Sequence, residues 1–383
     1  MMKVVKMLEE LVQIETVNPP GERYLEFISV AKDFFSDLAF QTQIVNIPQD
    51  FMDRNYIYSP LHKGNERAIA VMRNGSEPKL HFNFHYDVVP PGDGWVTDPF
   101  KLKVIDDRAY GRGTSDMKGA LVSLYGALSN FNDLPIEIAL VPDEESGGIG
   151  TRYLTEEFRA RPERVIMGEP SFPNVYVGHF GIIRGMVKVF GKQVHASKAR
   201  EGRNAFLEAS RFALEIWKRY SNRRIELNPS FEGEPTVNLG GYVVGSTSDG
   251  VVPGSFGFSF YRSVSPINDQ GPEFDRKILE DIARELGIEY EFEVKSYVPG
   301  SMTNTNSETL RRLESCVKLK INWEPRKVVT NIRYDGVFYR GADVVNFGPG
   351  EPDQAHVPNE SVSLRNVEKV AEVYECVMRE TRS

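Results

Sequence analysis

Apolar positions along the first part of the chain fall into short runs that alternate with stretches of helical spacing. In MMKVVKMLEELVQIETV, Val4, Val5, Leu8, Leu11 and Val12 recur helically with Lys and Glu between them, and the pattern stops at Pro19-Pro20-Gly21. This predicts an amphipathic helix, not a secretory leader. Apolar runs at Ala68–Met72, Leu80–Val88, Ile136–Val141 and Val165–Met167 predict strands. Tyr24–Ser36, Lys118–Ser129 and Thr151–Arg159 predict helices, the last two beside glycine-rich turns. Such alternation specifies the α/β class, a mostly parallel sheet flanked by helices.

After residue 177 the rhythm changes. Strands at Ile182–Phe190, Glu234–Val244 and Phe256–Val264 interleave with helices at Asn204–Tyr220 and Phe274–Leu286. This fits the β, α, β, β, α, β order of a small ferredoxin-like α+β sandwich. From about residue 295 the first rhythm returns, with a helix at Glu308–Cys316, a strand at Ala342–Phe347 and a last helix at Asn366–Arg379. The expected organisation is a discontinuous first domain, residues 1–177 and 295–383, interrupted by an inserted domain at 178–294. A chain of 383 residues is long enough for two domains.

Composition mostly excludes. A net charge of -8 without a basic stripe disfavours nucleic acid and anionic membrane surfaces as partners. No apolar run approaches the roughly 20 residues of a membrane span, so a soluble cytoplasmic protein is expected. Cys316 and Cys376, the only cysteines, sit in no CxxC pair and beside no candidate base; two buried structural thiols are expected.

The candidate chemistry lies at the ends of the apolar runs. His85, Asp116, Glu145, Glu169 and His356 stand in HFNFHYDVVP, YGRGTSDMKGA, ALVPDEESGG, RVIMGEPS and PGEPDQAHVPNE. His85, Glu145 and Glu169 follow predicted strands directly, and the carboxyl ends of strands in an open α/β sheet converge. Taken singly, each residue has an ordinary reading: His85 as a satisfied structural histidine, Asp116 as a helix cap, Glu144 and Glu145 as a solvated turn. Together, oxygen and imidazole donors with no cysteine suit zinc, cobalt or manganese, and three carboxylates neutralise most of the charge of two divalent ions. The set points to a two-metal hydrolase. Asp87, two residues beyond His85 on one strand face, can accept from the imidazole N–H. Glu144 is placed to take a proton from metal-activated water and pass it to a leaving amine.

HYDVVP, GRGTSDMKGA, DEESGG, GEPS, GKQVHAS and AHVPNE, in this order, resemble the motif series of the zinc aminoacylase and carboxypeptidase family. Its members include acetylornithine deacetylases, succinyl-diaminopimelate desuccinylases and glutamate carboxypeptidases. The resemblance implies a catalytic domain with an inserted lid or dimerisation domain, and two divalent ions, zinc foremost. Asp116 would bridge them, with His85 and Glu169 completing one site and Glu145 and His356 the other. Glu144 would be the catalytic base, Asp87 the partner of His85, and the Asp116-Met117 peptide cis. His195 matches a histidine that reaches the active site of a neighbouring subunit and polarises the amide carbonyl, which implies a homodimer. Asn238 and Arg262 match positions that bind the substrate carboxylate, Arg by a two-pronged contact.

Other positions bear on specificity. Gly348, with Pro349 and Gly350, precedes the His356 loop and either brings backbone close to a substrate or forms a plain turn. Where desuccinylases carry Arg-Arg-Gly-Ser, this chain reads His179, Phe180, Gly181, Ile182, and their Gly-Thr-Ser-Asp-Gly-Arg is replaced by Ile332 to Val337. These departures argue against succinyl-diaminopimelate, with Arg333 either a compensating cation or one half of a surface ion pair. The expected reaction is hydrolysis of the amide of an N-acyl amino acid, or of a short peptide with a free carboxylate. Carboxypeptidase or dipeptidase activity, desuccinylase activity and a non-catalytic binding homologue are the competing readings.

Overall fold

Helix α1 (Met2–Val12) turns Met7, Leu8, Leu11 and Val12 inward, as its spacing requires. Each such burial is worth about 1.5–3 kcal/mol, enough to hold a helix that would be marginal alone. The computed structural model of the protein describes residues 2–75, 77–129, 131, 135–222, 227, 230–246, 248–268 and 271–382. The next elements are α2 (Tyr24–Ser36), β1 (Gln41–Asn46), α3 (Gln49–Asn55), β2 (Ala68–Arg73), β3 (Leu80–His85), β4 (Lys103–Ile105) and β5 (Arg108–Tyr110). They are followed by α4 (Gly119–Leu128), β6 (Ile136–Val141), α5 (Ile149–Glu156), β7 (Arg164–Pro170) and β8 (Val175–His179).

The chain divides into two compact units. The first comprises Met1–Val177, Thr303–Val328 and Tyr334–Ser383. Its return segment contributes α8 and α9, so the labels first pass through the second unit, Gly178–Met302 with Val329–Arg333. That unit holds β9 (Gly181–Phe190), β10 (Val194–His195), α6 (Ala205–Ser221), β11 (Val237–Val244), β12 (Val251–Val252), β13 (Ser255–Val264), α7 (Gly271–Leu286), β14 (Tyr290–Val298) and β15 (Ser301–Met302). After it come α8 (Glu308–Ile321), β16 (Lys327–Thr330), β17 (Asp343–Gly348), β18 (Ser361–Ser363) and α9 (Leu364–Arg382).

In the first unit the strands run in the order β1-β2-β6-β3-β7-β17-β8. Parallel pairing joins β6 to β3, β3 to β7 and β7 to β17, so their carboxyl ends share one edge. β3 alternates His81, Asn83 and His85 with Phe82 and Phe84, yet both faces are buried. Its polar face is satisfied internally: His81 sits between Glu137 and Tyr339, and Asn83 donates to Thr151 of α5. Helix α4 is buried nearly all round, packed against α1 and α9.

The second unit is a four-stranded antiparallel sheet, ordered β11-β13-β9-β14, covered by α6 and α7 over a core that includes Val187, Phe212, Ile216, Phe258, Phe260 and Leu279. Its β, α, β, β, α, β order follows from the alternation in β9 and the amphipathic spacing of both helices. Two expectations need correction here. The boundary at 294/295 falls inside β14, whose residues pair with β9 from Tyr290 to Val298, so the return to the first unit lies at 302/303. Cys316 and Cys376 are not two thiols but a disulfide joining α8 to α9, their Cα atoms 5.8 Å apart, a span that a disulfide bridges. No described helix is long and apolar enough to cross a membrane.

Candidate metal centre

The shared strand edge of the first unit gathers six of the candidate residues. His85 ends β3, Glu144 and Glu145 lie in the turn after β6, and Glu169 lies at the end of β7. His356 follows β17, and Asp116 lies in the turn leading into α4, with a cis peptide to Met117. The registers explain the convergence: His85 pairs with Val141, so the acidic turn after β6 emerges beside it.

Asp116 divides its carboxylate between two histidines. Its Oδ1 lies 2.9 Å from His85 Nε2 and its Oδ2 lies 3.3 Å from His356 Nε2. His85 Nε2 is also 3.7 Å from Glu169 Oε2, and His356 Nε2 is 2.8 Å from Glu145 Oε1. Ligand atoms of His85, Asp116 and Glu169 all lie within 4.8 Å of one another, as do those of Asp116, Glu145 and His356. Glu144 falls within the same limit of His85 and Glu145. Glu169 Oε1 is buried with no hydrogen-bond partner. A donor set of two imidazoles and three carboxylates with an orphaned buried oxygen suits cations bound on either side of Asp116.

The electrostatics carry the same demand. Burial raises Glu145, and pushes Glu169 up to about 7. Hydrogen bonds to Asp116 and Glu145 lift His356 to about 11. Burial alone would lower His85, but the charge of Glu169 and hydrogen bonding to Asp116 leave it well above its ordinary value. A buried cluster whose Glu145 and Glu169 carboxylates are raised by burial and by neighbouring carboxylates is one that a divalent cation would neutralise.

The profile of Peptidase family M20/M25/M40 matches residues 81–380. The chain belongs to that family. It is therefore a metallohydrolase of a class that cleaves amide and peptide bonds. A succinyl-diaminopimelate desuccinylase of Nautilia profundicola is 24% identical over 392 residues, covering 99% of this chain and 100% of its own. Among solved structures, aminopeptidase PepT from Bacillus cereus superposes with a TM-score of 0.75 at 21% identity, over 100% of this chain and 99% of its own. The YXEP protein of Bacillus subtilis, described as a dinuclear metal-binding peptidase of family M20, gives 0.66 at 13%, over 100% and 98%.

Three buried polar side chains, Asp87, Glu360 and Asn346, position this M20 site. Asp87 lies beyond the end of β3, and its carboxylate is 3.6 Å from His85 Nδ1; the imidazole bonds instead with the Asp87 main-chain carbonyl at 3.0 Å. The carboxylate accepts the main-chain N–H groups of Glu144 and Glu145, each at 3.1 Å, and the Asn18 amide at 2.8 Å. It thus fixes the acidic turn more directly than the imidazole. Glu360 accepts N–H groups from Gly113, Ser115 and Asp116 and pairs with Arg112 at 2.7 Å, locking the turn that carries Asp116. Asn346 binds the main chain of Glu169. Gly348 has a packing role: a Cβ there would collide with the carbonyls of Gly168 and Glu169, so β17 lies against β7 only with glycine.

The remaining candidates lie in the second unit. His195 is exposed on β10, and its Nδ1 faces Ser197, 2.8 Å from the hydroxyl and 3.2 Å from the main-chain nitrogen. Asn238 is exposed on the edge strand β11. Arg333 is half-buried, close enough to His179 to lower that imidazole. Arg262 departs from expectation: its two-pronged contact goes to Asp275, with Nη2 2.9 Å from Oδ2 and Nε on Oδ1, and it also donates to the carbonyls of Ser263 and Gly271. Buried and held by these four contacts, it braces β13 against α7, and Asp275 takes the two-pronged grip expected for a substrate carboxylate.

Proposed function

We propose that this M20 enzyme hydrolyses the amide bond of an N-acyl amino acid on the amino side of its free carboxylate, in the cytoplasm. It would use two divalent ions, zinc foremost, one held by His85, Asp116 and Glu169 and the other by Asp116, Glu145 and His356. The observation that carries the reading is the division of the Asp116 oxygens between two histidine-carboxylate pairs. Bound there, such ions supply Lewis-acid polarisation and lower the pKa of water. Glu144, its main chain fixed by Asp87, takes the proton of the attacking water and delivers it to the departing nitrogen. His195 offers an N–H hydrogen bond to the carbonyl oxygen as charge gathers there.

His195 would act from the neighbouring subunit of a homodimer. In support, β11 is an edge strand that exposes Tyr242, Val243 and Val244, and α6 exposes Leu214 and Trp217. Asn238 and Arg333 remain candidates for contacts with the substrate's acidic group; Arg262 does not. His179, where desuccinylases carry arginine, is buried, bonded to the Phe180 carbonyl and pushed down to about 4 by burial. A neutral buried imidazole offers no cation to a succinyl carboxylate, which supports a deacylase over the activity named for the Nautilia relative. Hydrolysis of acetylornithine, acetylmethionine, succinyl-diaminopimelate and dipeptides by the metal-loaded enzyme tests this. Cleavage of the acetyl substrates alone is expected, and turnover confined to dipeptides would replace the reading with a dipeptidase.

A further inference from the structure

Three large apolar side chains stand exposed in one short segment: Ile57 at 62%, Tyr58 at 42% and Leu61 at 54%. Apolar side chains so exposed in a mobile loop need no explanation, but this segment is anchored at both ends. Tyr56 is buried and donates to Asn18 Oδ1 at 2.6 Å, and Asn18 also holds Asp87, Asp143 and Ser146 through its amide. His62, fully buried, bonds to Asp53 at 2.8 Å, and its carbonyl accepts from Arg67. Arg67 in turn pairs with buried Asp143, immediately before Glu144.

The same network thus fixes the acidic turn of the metal centre and the segment 57–61. The two are also adjacent: a Cβ at Gly147, two residues after Glu145, would lie 3.4 Å from Ile57 Cγ2. At that position φ is +113°, so glycine keeps the backbone close and the space beside Ile57 open.

We infer that Ile57, Tyr58 and Leu61 form a preorganised apolar wall beside the catalytic turn and select substrates bearing an apolar group. The inference rests on the deacylase reading above and adds the substrate class: acylated amino acids with an aliphatic or aromatic side chain, or with a long acyl chain. A rigid apolar wall binds an apolar group without an ordering cost. It gives nothing to a charged chain such as that of ornithine.

The test measures kcat/KM on the metal-loaded full chain for acetylglycine, acetylleucine, acetylornithine and octanoylglycine. Wild type is expected to favour acetylleucine or octanoylglycine over acetylglycine by about tenfold or more, the scale on which an apolar pocket discriminates. The first arm places the apolar group in the amino acid, the second in the acyl chain. Ile57→Ser with Leu61→Ser should remove that preference through KM while leaving metal content unchanged. Turnover of acetylglycine without any apolar preference in wild type, or a preference that survives the double substitution, overturns the wall and leaves the deacylase reading standing. If no acylated amino acid is hydrolysed, the deacylase reading itself fails, and the wall assigned on it falls too.

Discussion

Asn346 holds Glu169 by its main chain and not by its carboxylate. The Asn346 Oδ1 accepts the Glu169 N–H at 2.7 Å, and its Nδ2 donates to the Glu169 carbonyl at 3.2 Å. The carboxylate is thereby aimed while its oxygens stay available. Asn346→Ala should leave the fold intact at a cost of about 1–3 kcal/mol for the unsatisfied backbone. It should also weaken metal binding by about 10–100-fold, as loss of such supporting contacts does. Competition with a chromophoric chelator reads the affinity, and an unchanged value would show that Glu169 needs no such support.

Glu360 does comparable work for Asp116, with a larger dependence on charge. Its oxygens receive three N–H groups and Arg112, and a glutamine would present N–H to donors and leave Arg112 buried without its anion. Breaking a buried pair in this way costs about 3–5 kcal/mol. Glu360→Gln is expected to lose that much in urea unfolding, with or without metal, while a conserved midpoint would reduce Glu360 to a minor contact.

Glu144 is the residue proposed to move protons and not to hold metal. Glu144→Ala should retain two ions per chain by elemental analysis and lose about 10²–10⁴-fold in turnover. Substantial residual activity would falsify the assignment.

The Cys316–Cys376 disulfide closes a separation of 60 residues between α8 and α9. A crosslink over such a loop restricts the unfolded chain and is worth about 2–4 kcal/mol. Cys316→Ser should therefore unfold at lower denaturant without loss of turnover, since neither cysteine borders the metal centre. Equal midpoints for the variant and the oxidised wild type would refute this.

His179 makes stability depend on pH in a defined direction. Burial pushes it down to about 4, whereas the unfolded chain takes up that proton near 6.5. Between those values the unfolded state binds more protons, so this contribution is present above about pH 6.5 and is lost as pH falls toward 4. The difference amounts to roughly 3 kcal/mol. Relative to wild type, His179→Gln should be penalised more at pH 7 than at pH 4.5; a penalty independent of pH would assign the cost to packing alone.

What the chain discloses locally and what only the tertiary structure supplies can be separated residue by residue. The predicted strands that lead to Glu145 and Glu169 lie in the sheet as mostly apolar runs because both their faces are buried, β3 ends at His85 with its polar face buried as well, and α2 occupies the predicted Tyr24–Ser36. Strand β14, the last member of the expected β, α, β, β, α, β order, is legible in the alternation of Tyr290, Phe292 and Val294 with Glu291, Glu293 and Lys295. Asn346 could not be found that way, because its function is two hydrogen bonds to a residue far off in sequence, and an asparagine in an apolar run carries no mark of them. Glu360 lies within the quoted AHVPNE motif, yet its partners at 112–116 appear only in three dimensions. The disulfide was missed because spacing alone cannot pair two cysteines on separate helices, and the capture of Arg262 by Asp275 likewise depends on α7 packing over β13.

Strand β17 enters the sheet between β7 and β8 although it is made long after both. Until it is synthesised, β7 has an open edge, Glu169 lacks the grip of Asn346, and His356 has yet to be added. The metal centre therefore depends on a segment that returns after the whole second unit has been made, and a chain cut before β17 would present an acidic cluster with only part of its ligands. Truncation ahead of β17 removes Asn346 and His356 together, so the grip on Glu169 and the histidine beside Glu145 are lost in one cut.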